Sequence, residues 1–282
     1  MRRSIIATGA LTMLVSAAHA EDAKNLLFYG NSFSGSGGGV HLLVQDLAVA
    51  AGHPEPYVYG RLVGGQTLHW HAVTGLSVIT DQIPAGEHWD SVVLQGHSTR
   101  TTSHPTDGNI PEFRDAVLTL TGAVRDHSPD ATTVLFETWA RAVGHDFYPT
   151  YWPDPYAMQA EVRDSYDLAR DDVNTMFGPG VAEVAPVGDA FEAAAFTPDL
   201  YNGDLYHANN KGALLIGFVL YGSIYNDRTV TDFDYSPIAD ALGVNAADAA
   251  EVAAYAEQVL APAPSTFALL AGAGVLTLRR RR

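Results

Sequence analysis

Five short apolar stretches, at 25–29, 57–62, 91–95, 132–137 and 181–187, recur along the chain with amphipathic segments between them. That alternation constrains the fold more than any other feature. A strand that is apolar through its length needs cover on both faces, and an intervening helix supplies the crossover that parallel pairing requires. Helical spacing predicts helices over 40–51, 110–127, 156–177, 189–195 and 208–225. Pro111 stands in the first turn of its helix, and Gly178-Pro179-Gly180 is a stop signal after the third helix. An Ala-rich amphipathic stretch, 238–260, reads as one more surface helix or a stalk. No internal repeat and no Pro/Ser-rich linker divides the body. The expectation is an α/β domain over 21–237, a three-layer α/β/α arrangement on a five-stranded parallel sheet, followed by the helix or stalk at 238–261.

The ends read as addresses. Residues 1–20 open with Arg2 and Arg3, continue through an apolar stretch and finish in Ala18-His19-Ala20, the pattern of a secretory signal peptide cleaved after Ala20. The last segment, 262–282, runs from Pro262 through a short apolar stretch to four arginines. It is too short for a comfortable membrane span, although the arginines would hold it at the cytoplasmic face. This tail resembles a PEP-CTERM sorting signal, with Ala263 where that signal carries Glu. The expected location is therefore secreted or cell-envelope, in a bacterium, with transient membrane association through the tail and the envelope sorting machinery as a partner.

Composition excludes several classes. There is no cysteine, hence no disulfide scaffold, Cys-ligated zinc, iron–sulfur cluster or cysteine nucleophile. The net charge is −16, and six of the sixteen basic residues lie at the two ends, so the body repels phosphate backbones. No nucleic-acid partner is expected.

Two local patterns carry chemistry. The first strand ends in Gly30-Asn31-Ser32-Phe33-Ser34-Gly35, and Ser36-Gly37-Gly38-Gly39 leads into a helix. A serine on a tight strand-to-helix turn is exposed near the N–H groups of the helix start, which stabilise negative charge. The same Gly/Ser-rich turn also suits a phosphate cradle or a plain loop. It lacks dinucleotide spacing, and the chain has no Walker-type loop. The second pattern is Asp204-Leu205-Tyr206-His207 just before an apolar helix. From one loop, His207 can take a proton from a serine while Asp204 orients the imidazole. A capping aspartate with a surface histidine fits the same four residues.

Taken in order, these blocks resemble the SGNH (GDSL-type) serine hydrolase family over most of residues 24–226. Gly30-Asn31-Ser32-Phe33 is similar to the family's first block, which would make Ser32 the nucleophile. Gly64-Gly65-Gln66 is similar to the second, whose glycine gives an oxyanion N–H; Gly65 is the candidate and Gly64 the alternative. Val92 to Ser98 resembles the third, with Ser98 in the slot of the family's asparagine. Asp204 and His207 match the fifth. The resemblance implies a flavodoxin-like SGNH hydrolase fold, a catalytic set of Ser32, Asp204 and His207, and an oxyanion hole of Ser32, Gly65 and Ser98. Gln95 is the alternative to Ser98. No metal and no organic cofactor is implied.

The implied activity is a secreted serine esterase acting on O-acyl esters, with O-acetyl groups on carbohydrate as the favoured class. Small-molecule or polysaccharide esters would be its substrates. The segment 148–156 is dense in Tyr, Trp and Pro, and Tyr151 and Trp152 are its candidate sugar platforms. The rival is a catalytically weak carbohydrate-binding surface protein on the same scaffold, favoured by the missing asparagine. His69 and His71, with His97 and His104 as companions, raise a metal site as a third reading, although no Asp/Glu cluster accompanies them.

Overall fold

The computed structural model describes residues 22–261, so the signal-peptide and sorting-tail segments lie outside the described residues. Five strands, β1 (Asn25–Gly30), β2 (Tyr57–Leu62), β3 (Ser91–Gln95), β4 (Thr132–Phe136) and β5 (Ala182–Ala185), form one sheet in the order β2-β1-β3-β4-β5. Every pairing is parallel. The expected three-layer α/β/α architecture is the one observed.

Side chains alternate across the pleat and feed two cores. Leu26 and Phe28 of β1, with Val93 and Phe136, face α1 (Val40–Ala50), while Leu27, Tyr29, Val92 and Leu94 face the opposite layer. That second layer holds α2 (Leu68–Thr74), α3 (Val78–Asp81), α4 (Ile110–His127) and α5 (Pro155–Phe177). The first layer is completed by α6 (Val187–Ala193), α7 (Asn210–Tyr225), α8 (Ser236–Ala241) and α9 (Ala246–Leu260). α7 is apolar all round because it is covered all round, with Leu214, Leu215, Ile216, Phe218, Val219 and Leu220 at 0 % exposure. Each such Leu, Ile or Phe contributes about 1.5–3 kcal/mol of transfer free energy relative to exposure.

One expectation needs correcting, and one helix goes beyond those expected. The stretch 238–260 is neither one helix nor a stalk: Gly243, at φ +70°, ends α8, and Asn245 caps α9 by accepting the N–H groups of Ala247 and Asp248. The alanine face of α9 (Ala249, Ala253, Ala256) is buried over α7, which makes it part of the domain. The second difference is α2, which periodicity did not reveal in Leu68–Thr74. Its first turn is set by Thr67, whose hydroxyl accepts the Trp70 N–H at 3.2 Å.

The strand order creates the site. The chain leaves β1 through α1 on one face to reach β2, and then crosses beneath to reach β3 on the other side of β1. The carboxyl ends of β1 and β3, where successive connections diverge, are the switch point at which sites form in open parallel sheets. Ser32 lies two residues past the end of β1.

Candidate active site

The turn after β1 is held by its own Asn31 and Ser34 and by groups from outside it. Asn31 is 3 % exposed; its N–H donates to Gln95 Oε1 at 2.8 Å and its Nδ2 to the Gln66 carbonyl at 3.0 Å. Its own Oδ1 accepts the Phe33 N–H at 3.1 Å. Ser34 Oγ also donates to Gln95 Oε1, at 3.0 Å, and Gln95 Nε2 donates to the Gly96 carbonyl. The Gln95 carbonyl oxygen thus holds the turn, and its NH2 has one of its two N–H groups on the Gly96 carbonyl. Gly30 is required here, because a Cβ on it would run into Ser34.

His71 ties the same turn from below. Its Nε2 donates to the Gly30 carbonyl at 3.0 Å and its Nδ1 accepts from Arg61 Nη1 at 2.6 Å, and the ring is 0 % exposed. Both ring nitrogens are occupied, so His71 is not the metal ligand that the third reading required, and His69 points to solvent. Burial lowers the His71 pKa to about 4, with the Arg61 charge adding to it and the Gly30 bond opposing. A base depressed from 6.5 contributes stability that is full above pH 6.5 and is lost as pH falls toward 4. An NMR titration is expected to put the His71 ring midpoint near pH 4 with unfolding close behind; a midpoint near 6.5 would contradict the tie.

Ser32 is half-buried, and its Oγ lies 2.9 Å from His207 Nε2. His207 Nδ1 donates to Asp204 Oδ2 at 2.8 Å. The other Asp204 oxygen accepts the N–H groups of Tyr206 and His207, both at 2.9 Å. Burial works to raise the Asp204 pKa, but these hydrogen bonds from His207 and Tyr206 outweigh it and hold the carboxyl below its usual range. Ser32, His207 and Asp204 therefore stand in one hydrogen-bonded line.

The loop bearing Asp204 and His207 is clamped by the segment after β4. Trp139 Nε1 donates to the Tyr206 carbonyl at 3.1 Å, and the Ala142 N–H donates to the Leu205 carbonyl at 3.0 Å. Leu205 takes a left-handed φ of +57°, which turns the chain so that Asp204 can face both N–H groups. Phe33 and Tyr206 wall the imidazole, their ring centroids 5.6 and 4.1 Å from it.

Gly65 lies exposed in the loop that Asn31 ties to the Ser32 turn, at φ +73°, a conformation natural to glycine. Neither the Ser32 nor the Gly65 N–H donates to a protein acceptor among the described residues. Ser98 is 1 % exposed, and its Oγ accepts from Arg141 Nη1 at 3.0 Å. The two platform candidates part company. Trp152 is 3 % exposed and covered by His104 and Phe147, so it offers no face to a sugar, whereas Tyr151 keeps 45 % exposure.

No protein-family profile and no curated protein sequence matches the chain. Solved structures do. A DUF4886 family protein from Bacteroides uniformis superposes with a TM-score of 0.67 at 18% identity, over 85% of this chain and 95% of that one. A candidate SGNH hydrolase from Slackia heliotrinireducens gives 0.57 at 23%, over 72% and 100%. The fold is that of the SGNH hydrolases. A carbohydrate esterase family 3 structure from Talaromyces cellulolyticus shares this SGNH fold at 0.52 and 16%, over 75% and 100%.

Arg141 is the residue that sequence reasoning missed. It follows Thr138-Trp139-Ala140 at the carboxyl end of β4, where sites form in such sheets, and that position was the available signal.

Proposed function

We propose that the protein is a serine esterase that hydrolyses O-acyl esters with Ser32 as nucleophile. The observation that carries this reading is the unbroken line from Ser32 Oγ through His207 to Asp204, at 2.9 and 2.8 Å. Ser32 Oγ attacks the ester carbonyl carbon as His207 Nε2 takes its proton, and the carbonyl π pair moves onto oxygen. The free N–H groups of Ser32 and Gly65 receive that oxyanion, with the Ser98 hydroxyl as the third donor. Collapse expels the alcohol, which takes the proton from His207. Water then attacks the acyl-enzyme by the same route and frees Ser32. Asp204 keeps the imidazole in the tautomer whose Nε2 is free to accept.

Acylated carbohydrate is the substrate class we favour, supported by the exposed ring of Tyr151 at the loop after β4 and by the fold shared with a carbohydrate esterase. A fluorophosphonate probe tests the enzyme reading: stoichiometric labelling at Ser32 is expected, and no labelling would favour the carbohydrate-binding protein instead. The terminal segments give the proposal its place, an envelope-sorted protein of the cell exterior. Deletion of 262–282 is expected to leave ester turnover unchanged and to shift the protein between cell and medium fractions. Equal distributions of full-length and truncated protein would speak against a sorting tail.

A further inference from the structure

Arg141 is the one Lys or Arg that is buried among the described residues, at 4 % exposure. Among the described residues no carboxylate oxygen lies within 4.0 Å of it. Arg100, Arg114, Arg163, Arg170 and Lys211 each have a carboxylate oxygen within 4.0 Å, in a chain that offers two acidic residues for every basic one. Arg141 has none, and holds instead the Ser98 hydroxyl and the face of Tyr206, 3.6 Å from its guanidinium carbon. A buried charge without a partner costs stability, and an apolar side chain of similar length would fill the space without that cost. Burial, which takes its pKa down to about 10, still leaves it a cation at neutral pH.

The position of this charge is specific. The guanidinium carbon lies 5.8 Å from the ring of Phe33, the residue after the nucleophile, and against Tyr206, the residue before His207. Phe147 closes a third side at 5.3 Å. Ser98 accepts from Arg141, and its own O–H has no protein acceptor among the described residues. A hydroxyl that accepts from a cation is a stronger donor, and a site with little water preserves the effect.

We propose that Arg141, acting through Ser98, is the positive charge that stabilises the oxyanion formed when Ser32 attacks the ester, so that a charged pair does the work of a side-chain amide. This rests on the esterase reading above. Arg141 is then a positioning and polarising residue, and Ser98 the group that meets the oxyanion. When the carbonyl π pair moves onto oxygen, the Ser98 O–H turns toward it and no proton leaves Ser98.

The test is a double-mutant cycle on a neutral ester, p-nitrophenyl acetate, with Ser98→Ala, Arg141→Met and both together, and with Arg141→Lys as the conservative variant. Each single change is expected to lower kcat by about 10-fold to 10³-fold with little change in KM, since an oxyanion donor acts in the transition state. The double variant is expected to be no slower than the slower single, and Arg141→Lys to recover part of the loss. Losses that multiply would overturn the proposal. So would an effect of Arg141→Met on KM alone, or one seen only with esters bearing a carboxylate, which would make Arg141 a substrate anchor. If Arg141→Met does not melt cooperatively, Ser98→Ala and Arg141→Lys decide, because near-native kcat in both overturns the assignment. Wild-type protein that turns over no ester refutes the esterase reading and this assignment with it; active wild type with silent variants refutes this assignment alone.

Discussion

Ser32→Ala is expected to abolish ester turnover, by a factor on the order of 10⁴ or more in kcat, while the protein melts as the wild type does. The two halves of that expectation have separate causes. The hydroxyl is the only group on the line to His207 that can form a bond to carbon, so nothing replaces it. The turn itself is held by Asn31, Ser34 and Gln95, none of which bonds the Ser32 side chain, so its loss leaves the support intact. Purified variant, with contaminating esterase excluded by fluorophosphonate labelling, gives the measurement. Near-native kcat would remove Ser32 from the reaction.

Asp204→Asn is expected to be the next most damaging change, with a loss of about 10²–10⁴ in kcat and almost none in folding. One Asp204 oxygen takes the backbone N–H groups of Tyr206 and His207, and the other takes His207 Nδ1. An asparagine keeps its carbonyl on the two backbone donors and so turns its NH2 toward Nδ1. Nδ1 must then accept, which places the ring proton on Nε2, facing Ser32 Oγ. A histidine in that tautomer cannot receive the serine's proton. The Asp204 side chain is 47 % exposed, so solvent replaces part of its electrostatic support and the lower part of the range is the expected one. Kinetics on one ester across pH, beside thermal melts, check it; a loss below 10-fold would show that Asp204 only caps the loop.

Gly65, Ser98 and the choice of Ser32 come from resemblance to the family's blocks, while local pattern offers a serine-bearing turn and the Asp204–His207 pair beside other readings. These two motifs are legible along the chain because the turn chemistry at each is itself local. The Asp204-to-His207 loop closes its own hydrogen bonds within four residues, and the Ser32 turn sits between a strand and a helix that periodicity finds. Strands β2 and β3 and helix α4 have the bounds that their apolar spacing predicts, since each is long enough for one period to dominate. Short α2 was missed for the converse reason: seven residues containing His-Trp-His carry too little periodicity.

The amino-acid sequence by itself therefore determined the layer architecture, the crossover helices and the local turns that present a serine and an Asp-x-x-His loop, because each depends on neighbours a few residues apart. Only the tertiary structure decided how far Gln95 is committed to the nucleophile turn, that His71 is a neutral tie under Gly30, that Trp152 is covered and that Arg141 lies behind the Ser–His pair without a carboxylate. Those facts rest largely on partners distant in sequence, such as Gln95 for Asn31, 64 residues on, and Ser98 for Arg141, 43 residues back, and in a sheet that orders its strands 2-1-3-4-5, separation along the chain says little about separation in space. Burial and hydrogen-bond satisfaction are properties of the assembled crevice, and no window along the chain contains them.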